Sequence, residues 1–195
     1  MQKFSFRTHE KMREVLMHPE ARGPEAHYYV MRGGSKEGNI TVWEPGEVGG
    51  EYIKTYGHYH VGDFSETYEV LSGEGVLLLQ KRALGPGGKF LDEVLEDFQA
   101  IPVRQGSCIR IPHEYGHLLA NTGPTFLVTR DDSPVDLRDL DPVGAPSHAN
   151  YEPVRRMSGF AYYVVERGGK PALAKNPRYK EVRKTNLAGL SVVPS

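Results

Sequence analysis

Between Asn39 and Arg130 the chain repeats one pattern, a short apolar run followed by a turn rich in glycine. The runs ITVWE, EYIKTY, ETYEVL, GVLLLQK, FLDEVL, SCIRIP and TFLVTR are separated by PGEVGG, SGEG, LGPGGK and ANTGP. Apolar runs of this length bounded by Gly and Pro clusters read as strands. Many of them at regular spacing read as a sandwich or barrel. Apolar periods at helical spacing are few, so the expected fold is all-β with a few short helices. The 195 residues are the size of one domain. A chain this long buries about 70% of its unfolded surface and needs no disulfide or structural zinc. A cluster of metal-ligand residues in it therefore points to function rather than to stability.

The strand pattern bounds the rest of the chain. Residues 36–132 form the expected barrel core, 133–150 a loop excursion with acids and prolines, and 151–195 C-terminal strands and a loosely held tail. Near the N-terminus, Thr8 is placed to cap a short helix with Met12, Val15 and Leu16 on one face, and HYYVMRGG reads as a strand. SGEG, from Ser72 to Gly75, suits a tight hairpin joining Glu66 to Lys81. Gly168 and Gly169 suit a second hairpin turn. Cys108, Trp43 and Phe126 are expected to pack in the core.

Composition excludes several functions. The 24 Lys and Arg against 25 Asp and Glu leave a net charge of -1, without the basic block that nucleic acid requires. The apolar stretches VLLLQ and GHLLA are far shorter than the roughly 20 residues of a membrane span, and MQKFSFRTHEKM lacks the apolar run of a secretory signal. A single Cys108 precludes an internal disulfide and fits a reducing cytoplasm. The expectation is a cytoplasmic protein with no nucleic-acid or membrane partner.

The chemistry concentrates in GHYH. Residues two apart on an extended chain share a face, so His58 and His60 can reach one point. Taken alone, two solvent-facing histidines explain the pattern as well as paired metal ligands do. Glu66, six residues on, opens the next strand and can return to the same point as an anionic ligand. Glu69 lies on the opposite face by parity, and Asp63 sits in the turn. GSCIRIPHEYGHLLAN then offers His117 as a fourth ligand, preferred over His113, which directly follows the strand-ending Pro112.

His58-x-His60 through Glu66 to Gly73, and Gly106 through Pro112 and His117 to Asn121, resemble the two signature motifs of the cupin superfamily. The interval from His60 to Glu66 is longer than the generic pattern, and Glu114 stands where that pattern has a second glycine. A narrower family accounts for both. ITVWEPGEVGGEYIKTYGHYH followed by ETYEVLSGEGVLLLQ closely resembles the cupin-type glucose-6-phosphate isomerases, over about residues 39–128. Weaker echoes follow in NYEPVRRMSGF and NPRYK, whereas residues 1–35 and 131–150 have no counterpart.

The resemblance implies a double-stranded, jelly-roll-like cupin barrel. In it His58, His60, Glu66 and His117 hold one divalent metal ion per subunit, whether Fe, Mn, Ni, Co or Zn. Thr41, Thr55 and Gly57 bind a sugar phosphate and Tyr151 closes over it. A tyrosine of the family pattern is missing near the end of TFLVTRDD, where Arg130 can act as a phosphate clamp or pair with Asp131 or Asp132 at the surface. The implied reaction is aldose-ketose isomerisation of glucose 6-phosphate and fructose 6-phosphate, a step of glycolysis and gluconeogenesis. Glu66, Tyr68 and His117 form the expected catalytic set. In an enediol route Glu66 moves the C2 proton to C1 while Tyr68, on the same strand face, steers a hydroxyl. In the other route a hydride shifts directly and Glu66 remains a ligand. The competing readings are a cupin dioxygenase, since the same ligands suit Fe(II), and a sugar-phosphate-binding cupin without catalysis. By analogy, a homodimer is expected through the edges of the N-terminal strands.

Overall fold

The computed structural model of the chain describes residues 3–35, 38–133 and 148–194. Strands run in the order β1 (Lys3–Thr8), β2 (Ala26–Ser35), β3 (Gly38–Trp43), β4 (Glu47–Val48), β5 (Glu51–Tyr52) and β6 (Tyr59–His60). They continue as β7 (Glu66–Ser72), β8 (Glu74–Leu84), β9 (Phe90–Arg104), β10 (Cys108–Ile111), β11 (Gly116–Asn121) and β12 (Leu127–Asp131). The last are β13 (Ala149–Asn150), β14 (Tyr162–Arg167), β15 (Lys170–Lys175), β16 (Glu181–Val182), β17 (Thr185–Asn186) and β18 (Val192–Val193). The α-helices among the described residues are short, α1 at His9–Met12 and α2 at Glu152–Arg156. None is long and apolar enough to cross a membrane. The fold is all-β, as the turn pattern requires.

Two sheets enclose the core. The first orders its six strands β1-β2-β3-β12-β7-β10. The second pairs β11, β8 and β9, with β16 and β17 added parallel to β9. The free edge of β11 is taken by the segment before β6, through bridges Lys54↔Ala120 and His58↔His117. One cluster of buried side chains draws Trp43, Val70 and Leu127 from the first sheet and Leu77, Leu95 and Leu118 from the second. A third sheet, β18-β15-β14-β5-β4, flanks them.

Glu66 to Lys81 is not a hairpin. One edge of β7 pairs with β12 and the other with β10, while β8 lies between β9 and β11. Both edges of β7 are therefore used, and SGEG carries the chain from one sheet to the other. Gly73 adopts φ 85° there, and a Cβ on Gly75 would lie 2.3 Å from the carbonyl oxygen of Ala120. Only glycine fits such an approach. The turn residues were legible but not the sheet each strand joins.

Other expectations hold or fail for similar reasons. Thr8 caps α1 by accepting from the Lys11 N-H at 3.3 Å, and Met12, Val15 and Leu16 are buried. β14 and β15 form the expected hairpin, with Gly168 and Gly169 at φ 62° and 78°. Trp43 is buried, whereas Phe126 is 47% exposed and Cys108 is exposed on β10, at the edge of its sheet. The tail is laced onto existing strands by β17 and β18 rather than loosely held. Most of the 133–150 excursion lies outside the described residues.

The segment after α1 is locked to the barrel by a buried ion pair. Lys54 Nζ lies 2.7 Å from Glu51 Oε1, both side chains at most 2% exposed. Lys54 also donates to the Val15 carbonyl at 2.6 Å, and Glu51 Oε2 accepts the Met17 N-H at 2.8 Å. Burial of both charges is tolerable because each is paired and hydrogen-bonded. The pair sits directly before Thr55 and Gly57.

Candidate active site

Gly57 makes the site possible. Its φ of 83° is one that side chains rarely adopt, and an added Cβ would lie 2.8 Å from Phe160 Cε1 and 3.2 Å from Leu118 Cβ. That close approach lets the next residue pair with β11. His58 N-H donates to the His117 carbonyl at 3.2 Å and His117 N-H returns to the His58 carbonyl at 2.9 Å. The two imidazoles meet with ring centroids 4.4 Å apart. β6 carries His60 into the same space, 5.0 Å from the His117 ring.

Glu66 enters from the opposite sheet. Its Oε2 lies 3.1 Å from His60 Nε2 and 3.2 Å from His117 Nε2, and the four potential ligand atoms of His58, His60, Glu66 and His117 all lie within 4.8 Å of one another. Alternation along β7 turns Glu66, Tyr68 and Val70 inward and Thr67 and Glu69 outward. Among the rivals, His113 and Asp63 are exposed, and Glu69 pairs with Arg130 on the outside.

Electrostatics suit a cation. Burial first, then the neighbouring imidazoles, push His58 and His117 well below the usual histidine range, and His60 is lowered to about 4. The three rings are therefore neutral, with lone pairs available as ligands. Burial, and then the charge of Asp131, raise Glu66 well above the usual carboxylate range. His58 Nε2 is buried without a hydrogen-bond partner, which is costly unless something accepts its lone pair. Three imidazoles and one carboxylate are a donor set for a divalent transition metal, and the geometry fits one.

The cavity above the cluster is walled by both sheets. Thr41, Thr55, Gly57, Tyr68 and Tyr151 all line it. Thr55 Oγ1 accepts the Leu119 N-H at 3.1 Å, which leaves its own proton to donate inward. The Tyr68 hydroxyl lies 3.2 Å from His117 Nε2. Tyr151 stands edge-on to Tyr56 and 5.2 Å from the His58 ring centroid.

Arg130 is a correction. Strand parity on β12 buries Leu127, Thr129 and Asp131 and turns Arg130 outward, where its guanidinium pairs with Glu69. It does not line the cavity. Asp131 does, in a network in which Asn39 Nδ2 donates to Asp131 Oδ1 and to Ser133 Oγ, each at 2.9 Å. Arg32 and His148 also line the cavity and were missed by sequence reasoning. The available signal was parity: Asp131 shares a face with Thr129, and Arg32 shares one with Tyr28.

A family model described as glucose-6-phosphate isomerase matches residues 24–181. A glucose-6-phosphate isomerase of Thermococcus litoralis is 32% identical over 157 residues, covering 78% of this chain and 70% of that protein. One of Pyrococcus abyssi is 31% identical over 157 residues, covering 78% and 71%. Among solved structures, the capsular polysaccharide assembling protein CapF of Staphylococcus aureus is similar over 62% of this chain and 32% of its own, at 17% identity and a TM-score of 0.39.

Proposed function

The chain belongs to the glucose-6-phosphate isomerase family, and from that premise we propose a metal-dependent interconversion of glucose 6-phosphate and fructose 6-phosphate at the His58–His60–Glu66–His117 cluster. The observation that carries the metal dependence is the convergence of these four donors from two sheets to within 4.8 Å. When bound, a divalent cation supplies Lewis-acid polarisation of the substrate oxygens.

The remaining work falls to the side chains. Thr41, Thr55 and the Gly57 N-H take phosphate oxygens, and Tyr151 covers the bound sugar and excludes water. Glu66 Oε2 faces His60 and His117, and in the enediol route the Glu66 carboxylate carries a proton between C2 and C1. Burial, and then the charge of Glu66, hold the Tyr68 phenol well above its ordinary range, so it remains a donor and steers a substrate hydroxyl. The hydroxyl-rich wall favours a sugar over the apolar substrate of a dioxygenase.

The same reading places the enzyme in glycolysis or gluconeogenesis, in the cytoplasm, as a single domain. A homodimer is part of it: β1 is an edge strand, and Phe4, Phe6 and Met31 are exposed on the β1–β2 face, a surface that a second copy can cover.

The test is conversion of fructose 6-phosphate to glucose 6-phosphate by the wild type and by Glu66→Gln, with metal content measured on both. A variant that retains metal and loses about 100-fold or more in turnover supports the proton-carrying role. Wild-type turnover in that variant overturns it.

A further inference from the structure

The active-site cavity shares a wall with a neighbouring cavity. Tyr28, Val30, Arg32 and Tyr151 line both, and the neighbour adds Ser5, Phe6 and Arg7 from β1. β1 and β2 pair antiparallel with Ser5 opposite Val30 and Arg7 opposite Tyr28. These residues, and Arg32 two positions beyond Val30, therefore share the inner face of the sheet. Arg7 and Arg32 are each only 8% exposed. Arg7 Nε donates to the Tyr28 hydroxyl at 3.2 Å, which aims the guanidinium along the shared wall.

A hexose phosphate brings an anion with close to two negative charges at neutral pH. Hydroxyls and a backbone N-H satisfy its oxygens but add no positive charge, and a buried anion without one is costly. Arg130 cannot supply it, being turned outward. Among the described residues lining the two cavities, Arg7 and Arg32 are those with fixed positive charge. Thr41 lies directly across the strand pair from Val30, one inward position from Arg32. A guanidinium fork matches a phosphate better than an ammonium does.

We propose that Arg7 and Arg32 form the charged half of the phosphate subsite, next to the neutral half made by Thr41, Thr55 and the Gly57 N-H. β1, which lies outside the matched family region of 24–181, is then part of the substrate site. The proposal rests on the isomerase reading above.

The experiment compares wild type with Arg7→Gln, Arg32→Gln, Arg7→Lys and Arg32→Lys. It measures KM and kcat for fructose 6-phosphate, the inhibition constant of inorganic phosphate, and metal content. Loss of a charge-assisted contact raises KM and the phosphate inhibition constant together by about 10- to 100-fold in each glutamine variant. The loss is concentrated in KM, metal content is unchanged, and lysine recovers part of it. Where a glutamine variant does not fold, the lysine variant, which keeps the charge and loses the fork, carries the same comparison at smaller amplitude. Folded variants with both constants within twofold of wild type overturn the proposal and leave the arginines a structural role. If the wild type does not isomerise fructose 6-phosphate, the isomerase reading fails instead, and calorimetric titration with inorganic phosphate still decides whether the two arginines bind it.

Discussion

The hydroxyl of Tyr68 lies 3.2 Å from Nε2 of His117, joining the strand that begins with Glu66 to the opposite sheet. Tyr68 is buried and its phenol is held protonated by its surroundings, so its hydroxyl is available to donate to a substrate oxygen. Tyr68→Phe keeps the ring and removes the donor. The expected result is a kcat about 10- to 100-fold lower with metal content intact, measured by steady-state kinetics and elemental analysis. Loss of metal in step with activity would instead assign Tyr68 to holding His117.

The Glu51–Lys54 pair should dominate the stability of the region before Thr55. Removing one partner strands the other charge in the interior, at a cost of about 3–5 kcal/mol. Lys54→Met is expected to lower Tm by about 6 to 20 °C for a chain of this size. Because Lys54 also holds the Val15 carbonyl, amide exchange should accelerate first in residues 13–17. A variant melting within 2 °C of wild type would contradict the assignment.

Stability should also fall with acid through His27. Its ring is buried, and burial, followed by the charges of His9 and Lys54, lowers it to about 3 from 6.5. His9 Nε2 donates to the Ala21 carbonyl, and His9 Nδ1 lies at 3.0 Å from His27 Nε2. Between pH 6.5 and about 3 the unfolded chain binds a proton that the folded chain refuses, so stability rises with pH over that window. It is complete above 6.5 and drains as pH falls toward 3. The unfolding free energy of wild type, measured by urea titration, should therefore decline faster between pH 6.5 and 4 than that of His27→Gln, by at most about 1.4 kcal/mol per pH unit. Parallel slopes would remove His27 as the cause.

Gly57→Ala tests the close approach that sets His58 against His117. The new methyl group meets Phe160 at 2.8 Å at a backbone angle unfavourable to alanine. The expected outcome is a lower Tm together with weaker metal retention on dialysis. A stable, fully metallated variant would show that the turn tolerates a side chain.

How much was legible depended on distance along the chain. His58, His60 and Glu66 fall within nine residues: parity along extended backbone puts the two imidazoles on one face, a single short turn returns Glu66 to them, and the glycine-framed strand before His117 supplies the fourth. The same parity, applied to TFLVTRDD, would have turned Asp131 inward and Arg130 outward. Arg130 is the charge nearest the missing tyrosine, but its place on the strand turns it outward to Glu69. The hairpin at SGEG failed differently: local turn chemistry is the same whether a chain folds back on its own sheet or crosses to the facing one. Only pairings with β12, β10, β9 and β11, all distant in sequence from that turn, decide it. Arg7 lies outside the matched region of 24–181, and the pairing of β1 with β2 that turns it inward is decided by the fold.

The most direct test of the central claim is a coupled assay of fructose 6-phosphate conversion to glucose 6-phosphate. Protein is stripped with chelator, verified metal-free, and reloaded separately with Fe(II), Mn(II), Ni(II), Co(II) and Zn(II), alongside His58→Ala treated identically. Activity lost on stripping, restored by at least one metal and absent from His58→Ala at every loading is the predicted result. Full turnover by the verified metal-free protein, or wild-type turnover by His58→Ala, would contradict it.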